Sequence, residues 1–208
     1  MDDICIAYFL EDIGQELFIT ALVERIAKDA GVQRVRSQVL NATRGGGAAL
    51  AALKRFLHDA VREQRHPYRL LVVAIDGNCK GYRERRRSIC SIVERSGYQG
   101  EVICAIPDPH IERWYLADPE ALRQVLGCKV DFEVPAYKCE RDRYKQILRQ
   151  VIQKTGVIPP LGGIEYGDDI AHALNFYHVC KTDQAFKHFM DALKGFFQRS
   201  GQSETNCH

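Results

Sequence analysis

The stretch LLVVAIDGNCKGY, residues 70–82, decides the fold that the sequence predicts. Its apolar part, residues 70–75, is unbroken and rich in β-branched side chains, which is typical of a strand buried on both faces in a parallel sheet. The run stops at Asp76, which a glycine follows. Ligands of open α/β sheets bind beyond the carboxyl ends of the strands, so Asp76 is predicted to lie where chemistry takes place.

Two other apolar runs also end at an acidic residue. Residues 4–10 lead into Glu11, and residues 101–106 lead through a proline into Asp108. Amphipathic helical patterns separate these runs, and a half-exposed strand is predicted at residues 32–39. The alternation predicts an α/β fold, a Rossmann-like, four-stranded, mainly parallel sheet flanked by helices.

The strand and helix alternation stops near Gly127, and the rest of the chain reads as helical. We therefore predict an α/β domain over residues 1–127, a helical extension packed on it over 128–199, and a disordered tail over 200–208. A length of 208 residues suits one domain with such an extension.

Composition and charge restrict the class of protein. The 29 Lys and Arg residues balance 27 Asp and Glu residues, so the total charge demands no polyanionic partner. No apolar run approaches the ~20 residues of a membrane span, and the N-terminus lacks the basic start of a secretory signal. The eight cysteines show no metal-ligand spacing. We expect a cytoplasmic protein with free thiols and no membrane contact.

Two Asp-Pro pairs have the form of a helix N-cap followed by proline at the first helical position. For Asp118, which precedes Pro119, capping alone is predicted. For Asp108, which precedes Pro109, the same helix would place Glu112 on the same face, so that both carboxylates address one site. Capping and a surface ion pair are the alternative explanations for Asp108 and Glu112.

Carboxylates gathered at one edge of a sheet are costly unless a cation neutralises them or one is protonated. Oxygen ligands without a histidine or cysteine cluster select Mg²⁺ or Mn²⁺, and a hard divalent ion beside basic residues favours phosphoryl transfer. Lys80 and Arg83 begin the helix after Asp76, and Arg44 precedes a run of glycines. These three cations are candidates for phosphate contact. A solvated helix face and a flexible turn are the alternatives.

Glu11, followed by Gly14 and a helix, and Asp76, at the end of an apolar strand, resemble the TOPRIM domain of topoisomerases, bacterial primases and overcoming-lysogenization-defect nucleases. That domain carries a glutamate after its first strand and an Asp-x-Asp after its third. The resemblance implies Mg²⁺ binding for DNA strand cleavage or joining.

A closer resemblance extends over nearly the whole chain. It is to a group of TOPRIM-like bacterial proteins whose members tend to be encoded beside ATPases in mobile or defence islands. The segments that carry it are VAIDGNCKGY (73–82), AIPDPHIERWY (105–115), KCERDRYK (138–145) and LGGIEY (161–166).

The resemblance implies roles for individual residues. Glu11 would be a general acid/base or a metal ligand, and Asp76 the principal ligand. Asn78 stands where the second aspartate of Asp-x-Asp would be, as a neutral ligand or water-positioning group. Lys80 and Arg83 would hold the scissile phosphate, with Lys80 counted among the catalytic residues. The acids at positions 108 and 112 would restore the charge that asparagine removes.

Two functional hypotheses follow. The first is a Mg²⁺-dependent nuclease, or a related phosphoryl-transfer protein, acting on nucleic acid with DNA favoured over RNA. It would work with an ATPase partner in a defence or mobile-element system, and as a homodimer. The second is a non-catalytic adaptor that keeps the TOPRIM-like fold and docks on the ATPase, which the asparagine permits. His110 is interpreted as a surface residue of a helix start, with proton donation to a leaving oxygen as the alternative.

Overall fold

The computed structural model describes residues 4–41, 46–63, 68–129 and 131–202. A short 3-10 helix covers Ile164–Tyr166. The strands and α-helices follow one another as β1 (Ile4–Leu10), α1 (Ile13–Asp29), β2 (Val35–Asn41), α2 (Gly46–Arg62), β3 (Leu70–Ala74), α3 (Gly81–Ser96), β4 (Glu101–Ala105), α4 (Glu112–Tyr115), α5 (Pro119–Leu126), α6 (Arg143–Gln153), α7 (Gly167–Ala173), α8 (Phe176–Thr182) and α9 (Gln184–Gln202).

The four strands form one parallel sheet in the order β2-β1-β3-β4. The predicted fold class is thereby confirmed. Leu10 of β1 lies opposite Ala74 of β3, so the carboxyl ends of these two strands are level. The chain leaves β1 toward β2 on one side and later returns to β3 on the other. The sheet therefore changes winding direction between β1 and β3, which is where α/β folds bind ligands.

Both faces of the sheet are covered, because side chains alternate along each strand. Ile6, Tyr8 and Leu10 of β1 face a layer that contains α1 and the helices α4–α9. Ala7 and Phe9 face the opposite layer, formed by α2 and α3. All residues of β3 are buried, as its unbroken apolar run predicts.

Helices α7 and α8 are tied to α1 by a charged residue. Arg25 interrupts the apolar face of α1, and its Nη1 donates to the carbonyl oxygens of Ala171 at 3.0 Å and Leu174 at 2.9 Å. Its guanidinium also lies 4.0 Å from the ring centroid of Phe176. The C-terminal carbonyls of α7 thus gain donors from a neighbouring helix.

Three expectations differ from the structure. Strand β2 begins at Val35 because the Val32 amide still donates to Ala27 of the preceding turn, at 2.9 Å. The predicted N-cap at Asp108 is wrong, since helix α4 begins only at Glu112. Helix α9 extends to Gln202, and residues 203–208 of the predicted tail lie outside the described residues. Within the described ranges, no helix has the length and apolarity that crossing a membrane requires.

Candidate functional site

The first two predicted acids meet where the sheet changes winding direction. Glu11 follows β1 and Asp76 closely follows β3, and the backbone amide of Asp76 donates to Glu11 Oε2 at 2.9 Å. Asp76 is only 6% exposed. Burial, followed by the negative charges of Glu11 and Asp12, raises the pKa of Asp76 to about 6, although His110 opposes the rise.

Gln15 was not identified from the sequence, yet it joins the two acids. Its Nε2 donates to Asp76 Oδ1 at 2.8 Å, and its Oε1 accepts from the Glu11 amide at 2.9 Å. Gln15 is fully buried in the first turn of α1, where Asp12 caps the helix by accepting from the Gln15 amide. A buried amide that uses both ends of its side chain fixes the acids relative to each other.

His110 also contacts Asp76, contrary to its interpretation as a surface residue. Its Nδ1 lies 3.2 Å from Asp76 Oδ2, and the imidazole is mostly shielded from solvent. The hydrogen bond to Asp76 raises the pKa of His110, against the effect of burial. Both carboxylate oxygens of Asp76 therefore have a partner within the protein.

Glu112 is a buried acid whose environment disfavours its charged form. Its side chain is 3% exposed, and among the described residues its Oε2 has no hydrogen-bond partner. Burial, then the charge of Asp76, raises the pKa of Glu112 to about 7. Lys145 is the nearest cation, with its Nζ 3.9 Å from Glu112 Oε1. A buried carboxylate oxygen without a donor is the kind of group that a ligand satisfies.

A cavity of about 330 Å³ opens beside Glu112. Helix α6 supplies two cations to its wall, Lys145 and Arg149, and the loop before the 3-10 helix supplies an apolar rim. Neither Lys145 nor Arg149 is among the predicted phosphate ligands, which are Lys80, Arg83 and Arg44. The lining residues are Asp12, Ile13, Glu112, Asp142, Lys145, Gln146, Arg149, Leu161, Gly162 and Ile164.

The third predicted acid points elsewhere. Asp108 accepts from the Tyr137 hydroxyl at 3.4 Å and from the Tyr82 amide at the start of α3. Burial raises the pKa of Asp108 above its ordinary value. Its carboxylate also lies so close to Gly77 that a Cβ there would be 2.7 Å from Asp108 Oδ1. The prediction that Asp108 and Glu112 share a helix face is wrong, because the residues between them are not helical.

The Asn78 side chain donates to the backbone of Asp76 and not to its carboxylate. The residue has a positive φ of 48°, its Nδ2 donates to the Asp76 carbonyl at 3.3 Å, and its amide donates to the Pro109 carbonyl. Arg85, which sequence reasoning missed, is buried and donates to the same Asp76 carbonyl at 2.9 Å. These contacts hold the loop after β3 in place.

Neither Lys80 nor Arg83, the predicted phosphate ligands within the described residues, lines the cavity beside Glu112. Lys80 is 60% exposed, with its Nζ 3.7 Å from Glu84 of the same helix. Arg83 lines a separate cavity of about 550 Å³ along α3, together with Arg86 and Arg87. Arg44 lies outside the described residues. Lys145 is therefore better placed than Lys80 and Arg83 to contact an anionic ligand in the cavity beside Glu112.

A disulfide joins the loop after Asp76 to the segment before α6. Cys79 and Cys139 are bonded, with their Cα atoms 5.6 Å apart, a spacing typical of disulfides. The expectation of free thiols is wrong for this pair. It holds for the other cysteines in the described part of the chain, Cys5, Cys90, Cys104, Cys128 and Cys180.

The donor set at the site fits a hard divalent cation. Across the described residues, no three carboxylate, imidazole or thiol groups are arranged to hold one ion. Mg²⁺, however, keeps several waters and usually takes only one or two carboxylates from a protein. Asp76 and Glu112 supply such a pair with Glu11 beside them. A bound cation would lower the raised pKa values of both acids, because it stabilises their charged forms. It would also give the Glu112 Oε2 atom a partner.

One comparison with known proteins finds a match. A family model described as Domain of unknown function (DUF4276) matches residues 10–194, which include every acid of the site. No curated protein and no solved structure matches the chain. Because the family model covers most of the sequence, the chain belongs to the DUF4276 family.

Proposed function

We propose that this chain is a Mg²⁺- or Mn²⁺-dependent nuclease, a phosphodiester hydrolase acting on nucleic acid, with DNA favoured over RNA. The observation that carries the proposal is a pair of buried carboxylates, Asp76 and Glu112, whose charges interact, and of which Glu112 lines a cavity with cations on its wall. The pair lies near the carboxyl ends of β1 and β3, where open α/β sheets bind their ligands. Perturbed carboxylates in a cleft are typical of functional sites.

The residues of the site would have different roles in the reaction. Asp76 and Glu112 would hold the cation, and Gln15 and His110 would orient the Asp76 carboxylate through their hydrogen bonds. A hard divalent cation bound there supplies phosphate polarisation and a lowered pKa for an attacking water. Lys145, whose ammonium lies beside Glu112 on the cavity wall, would bind a phosphate oxygen as a point charge.

The cavity also has features that suit a nucleotide chain. Lys145 and Arg149 are four residues apart on α6, so they lie on one helix face and line the same cavity. Both can therefore contact phosphates of one nucleotide chain. Ile13 and Leu161 stay 45% and 57% exposed at the rim, next to these cations. Apolar side chains beside phosphate-binding cations can pack against the faces of unpaired bases.

The direct test is cleavage of plasmid, single-stranded DNA and RNA in Mg²⁺ or Mn²⁺. Glu112→Gln should abolish cleavage, since the amide cannot provide the buried negative charge. Glu120→Gln is the matched control, because Glu120 is an 80% exposed acid on the neighbouring helix α5. Equal cleavage by both variants, or no cleavage by the wild-type chain together with an ATPase, would contradict the proposal.

A second candidate function is a non-catalytic adaptor that docks on an ATPase partner. One observation favours it, since both Asp76 oxygens already have partners in Gln15 and His110, as in a structural carboxylate. Loss of the Glu11 and Asp76 carboxylates separates the two candidates. The nuclease would lose cleavage, whereas the adaptor would keep its affinity for the ATPase.

A further inference from the structure

Two cysteines line a cavity that shares no lining residue with the cavity beside Glu112. Cys90 belongs to α3 and Cys104 to β4, and both side chains are half-buried. The cavity has a volume of about 450 Å³, and Arg86 and His188 also line it. Cys90 reaches a second cavity, lined by arginines of α3, so it has two routes to solvent.

The two thiols are hydrogen-bonded to each other. The Cys104 thiol donates to Cys90 and lowers the pKa of Cys90, burial opposes this effect, and Arg86 supports it. The same bond, together with burial, raises the pKa of Cys104 well above its ordinary value. The two cysteines are thus unequal, because the Cys90 thiol ionises more readily than the Cys104 thiol.

Charged and titratable neighbours come from three elements. Helix α3 contributes Arg86 and Glu94, which lower and raise the pKa of Cys90 respectively, as well as Tyr82. Helix α9 contributes His188, whose ring stacks on Tyr82 with centroids 5.0 Å apart. Strand β4 contributes Cys104 itself. Arg86 is the neighbour suited to balance a thiolate charge.

We propose that Cys90 and Cys104 form a peroxide-reactive dithiol, in which Cys90 is the attacking thiolate and Cys104 the resolving thiol. The oxidant is a hydroperoxide small enough to enter the cavity. The site does not depend on the proposed nuclease, since the two cysteines share no lining residue with the cavity beside Glu112.

The reaction balances in two steps. The Cys90 thiolate attacks one peroxide oxygen, the O–O bond breaks, and Cys90 becomes a sulfenic acid, while the other oxygen takes a proton from solvent and leaves as water or an alcohol. The Cys104 sulfur then attacks the Cys90 sulfur, forming an S–S bond and releasing a second water. Overall, two thiols lose two electrons and two protons to the hydroperoxide.

Another cysteine provides an internal comparison. Cys180 is also a half-buried free thiol, but burial raises its pKa. Its thiolate is therefore scarce at neutral pH. Because reactivity follows the thiolate fraction, Cys180 should react more slowly than Cys90 with the same reagent.

The test on the wild-type chain is timed alkylation with iodoacetamide at pH 7 in EDTA, with peptide mass spectrometry. Cys90 should label at least about tenfold faster than Cys180. In a separate sample that is not alkylated before oxidation, hydrogen peroxide should give a linked Cys90–Cys104 peptide in a non-reducing digest. Equal labelling rates, or peroxide treatment that never yields this linked peptide, would overturn the proposal.

A variant tests the order of the two steps. In Cys104→Ser the resolving thiol is missing, so Cys90 sulfenic acid should accumulate and be trapped by dimedone. Cys180→Ser is the matched control and should still form the linked peptide. If dimedone adds no more to Cys90 in Cys104→Ser than in the wild type, Cys104 does not resolve it and the assignment is wrong.

Discussion

Asp76 and Asp108 follow neighbouring strands of the sheet, yet the structure gives them different environments. Asp76 is buried between Gln15 and His110 and influences the charge of Glu112. Asp108 turns toward the start of α3 and the exposed Tyr137. A strand end fixes where the backbone emerges, whereas the loop that follows decides where the carboxylate points.

The difference also appears in the partners that each acid takes. Asp76 takes its partners from α1 and from the loop before α4, which surround the point where the sheet changes direction. Asp108 is near Arg113, whose guanidinium pairs with Asp183 and donates to the Asp108 carbonyl at 2.9 Å. We therefore keep Asp76 as a proposed metal ligand and infer a loop-supporting role for Asp108.

The largest expected effect comes from removing the charge of each acid in turn. Asp76→Asn should lower kcat/KM for nucleic-acid cleavage by ~10²-fold or more, because a metal ligand is lost. Asp108→Asn should lower it by less than about threefold, since Asp108 is not a proposed metal ligand and the amide oxygen can still accept a hydrogen bond. Cleavage rates at saturating Mg²⁺, with circular dichroism as the control for folding, measure the difference. A larger loss in Asp108→Asn would reverse our assignment.

The disulfide should have the next largest effect, because it joins the loop after Asp76 to the segment that carries Tyr137. Cys79 and Cys139 are 60 positions apart, and closing a loop of that length is worth about 4 kcal/mol in the chain-entropy account. Cys79→Ser should lower the free energy of unfolding by roughly that amount in non-reducing urea titrations. Cys180→Ser is the control. Equal stability of the two variants would show that the link contributes nothing to the fold.

The pH dependence of stability should distinguish the buried Glu112 from exposed acids. Its folded pKa of about 7 exceeds its ordinary value of 4.5, so the folded state binds the proton more tightly. In metal-free buffer, the contribution of Glu112 to stability is therefore greatest near pH 4 and falls as the pH rises to about 7. Glu112→Gln should remove this fall and gain up to roughly 3 kcal/mol at pH 8. Urea titrations at pH 5 and 8 test this, and an unchanged pH slope would contradict it.

The smallest effect on stability is expected from a change at Tyr137, which contacts Asp108. Tyr137 is 52% exposed, and its hydroxyl lies 3.4 Å from Asp108 Oδ1, a long bond in a solvated place. Tyr137→Phe should change the free energy of unfolding by less than about 0.5 kcal/mol. A loss of 2 kcal/mol or more, far above the ~1 kcal/mol typical of one bond, would mean that Asp108 depends on this contact.

Much of the scaffold could be predicted because its signals are local. The apolar runs of β1 and β3 identify buried strands, and the acids that follow them identify the edge where Glu11 and Asp76 meet. Asp118 caps α5 as predicted, accepting from the amides of Glu120 and Ala121. Such features depend on side-chain periodicity and on contacts between near neighbours.

The rest depends on contacts between distant residues, which no local pattern reveals. Asp108-Pro109 looks the same as Asp118-Pro119 in the sequence, yet no helix starts there. Gln15 and Asp76 are 61 residues apart, and a glutamine in an amphipathic helix gives no sign of its partner. The Cys79 to Cys139 link has no spacing signature either.

The central claim is that Asp76 and Glu112 bind a divalent cation together. Titration calorimetry with Mg²⁺ and Mn²⁺ at physiological salt tests it most directly, with wild type compared against Asp76→Asn, Glu112→Gln and the exposed control Glu120→Gln. We predict saturable heat for the wild type and the control, and its loss in both site variants. No saturable heat from the wild type up to millimolar metal, or equal binding by all four proteins, would contradict the claim.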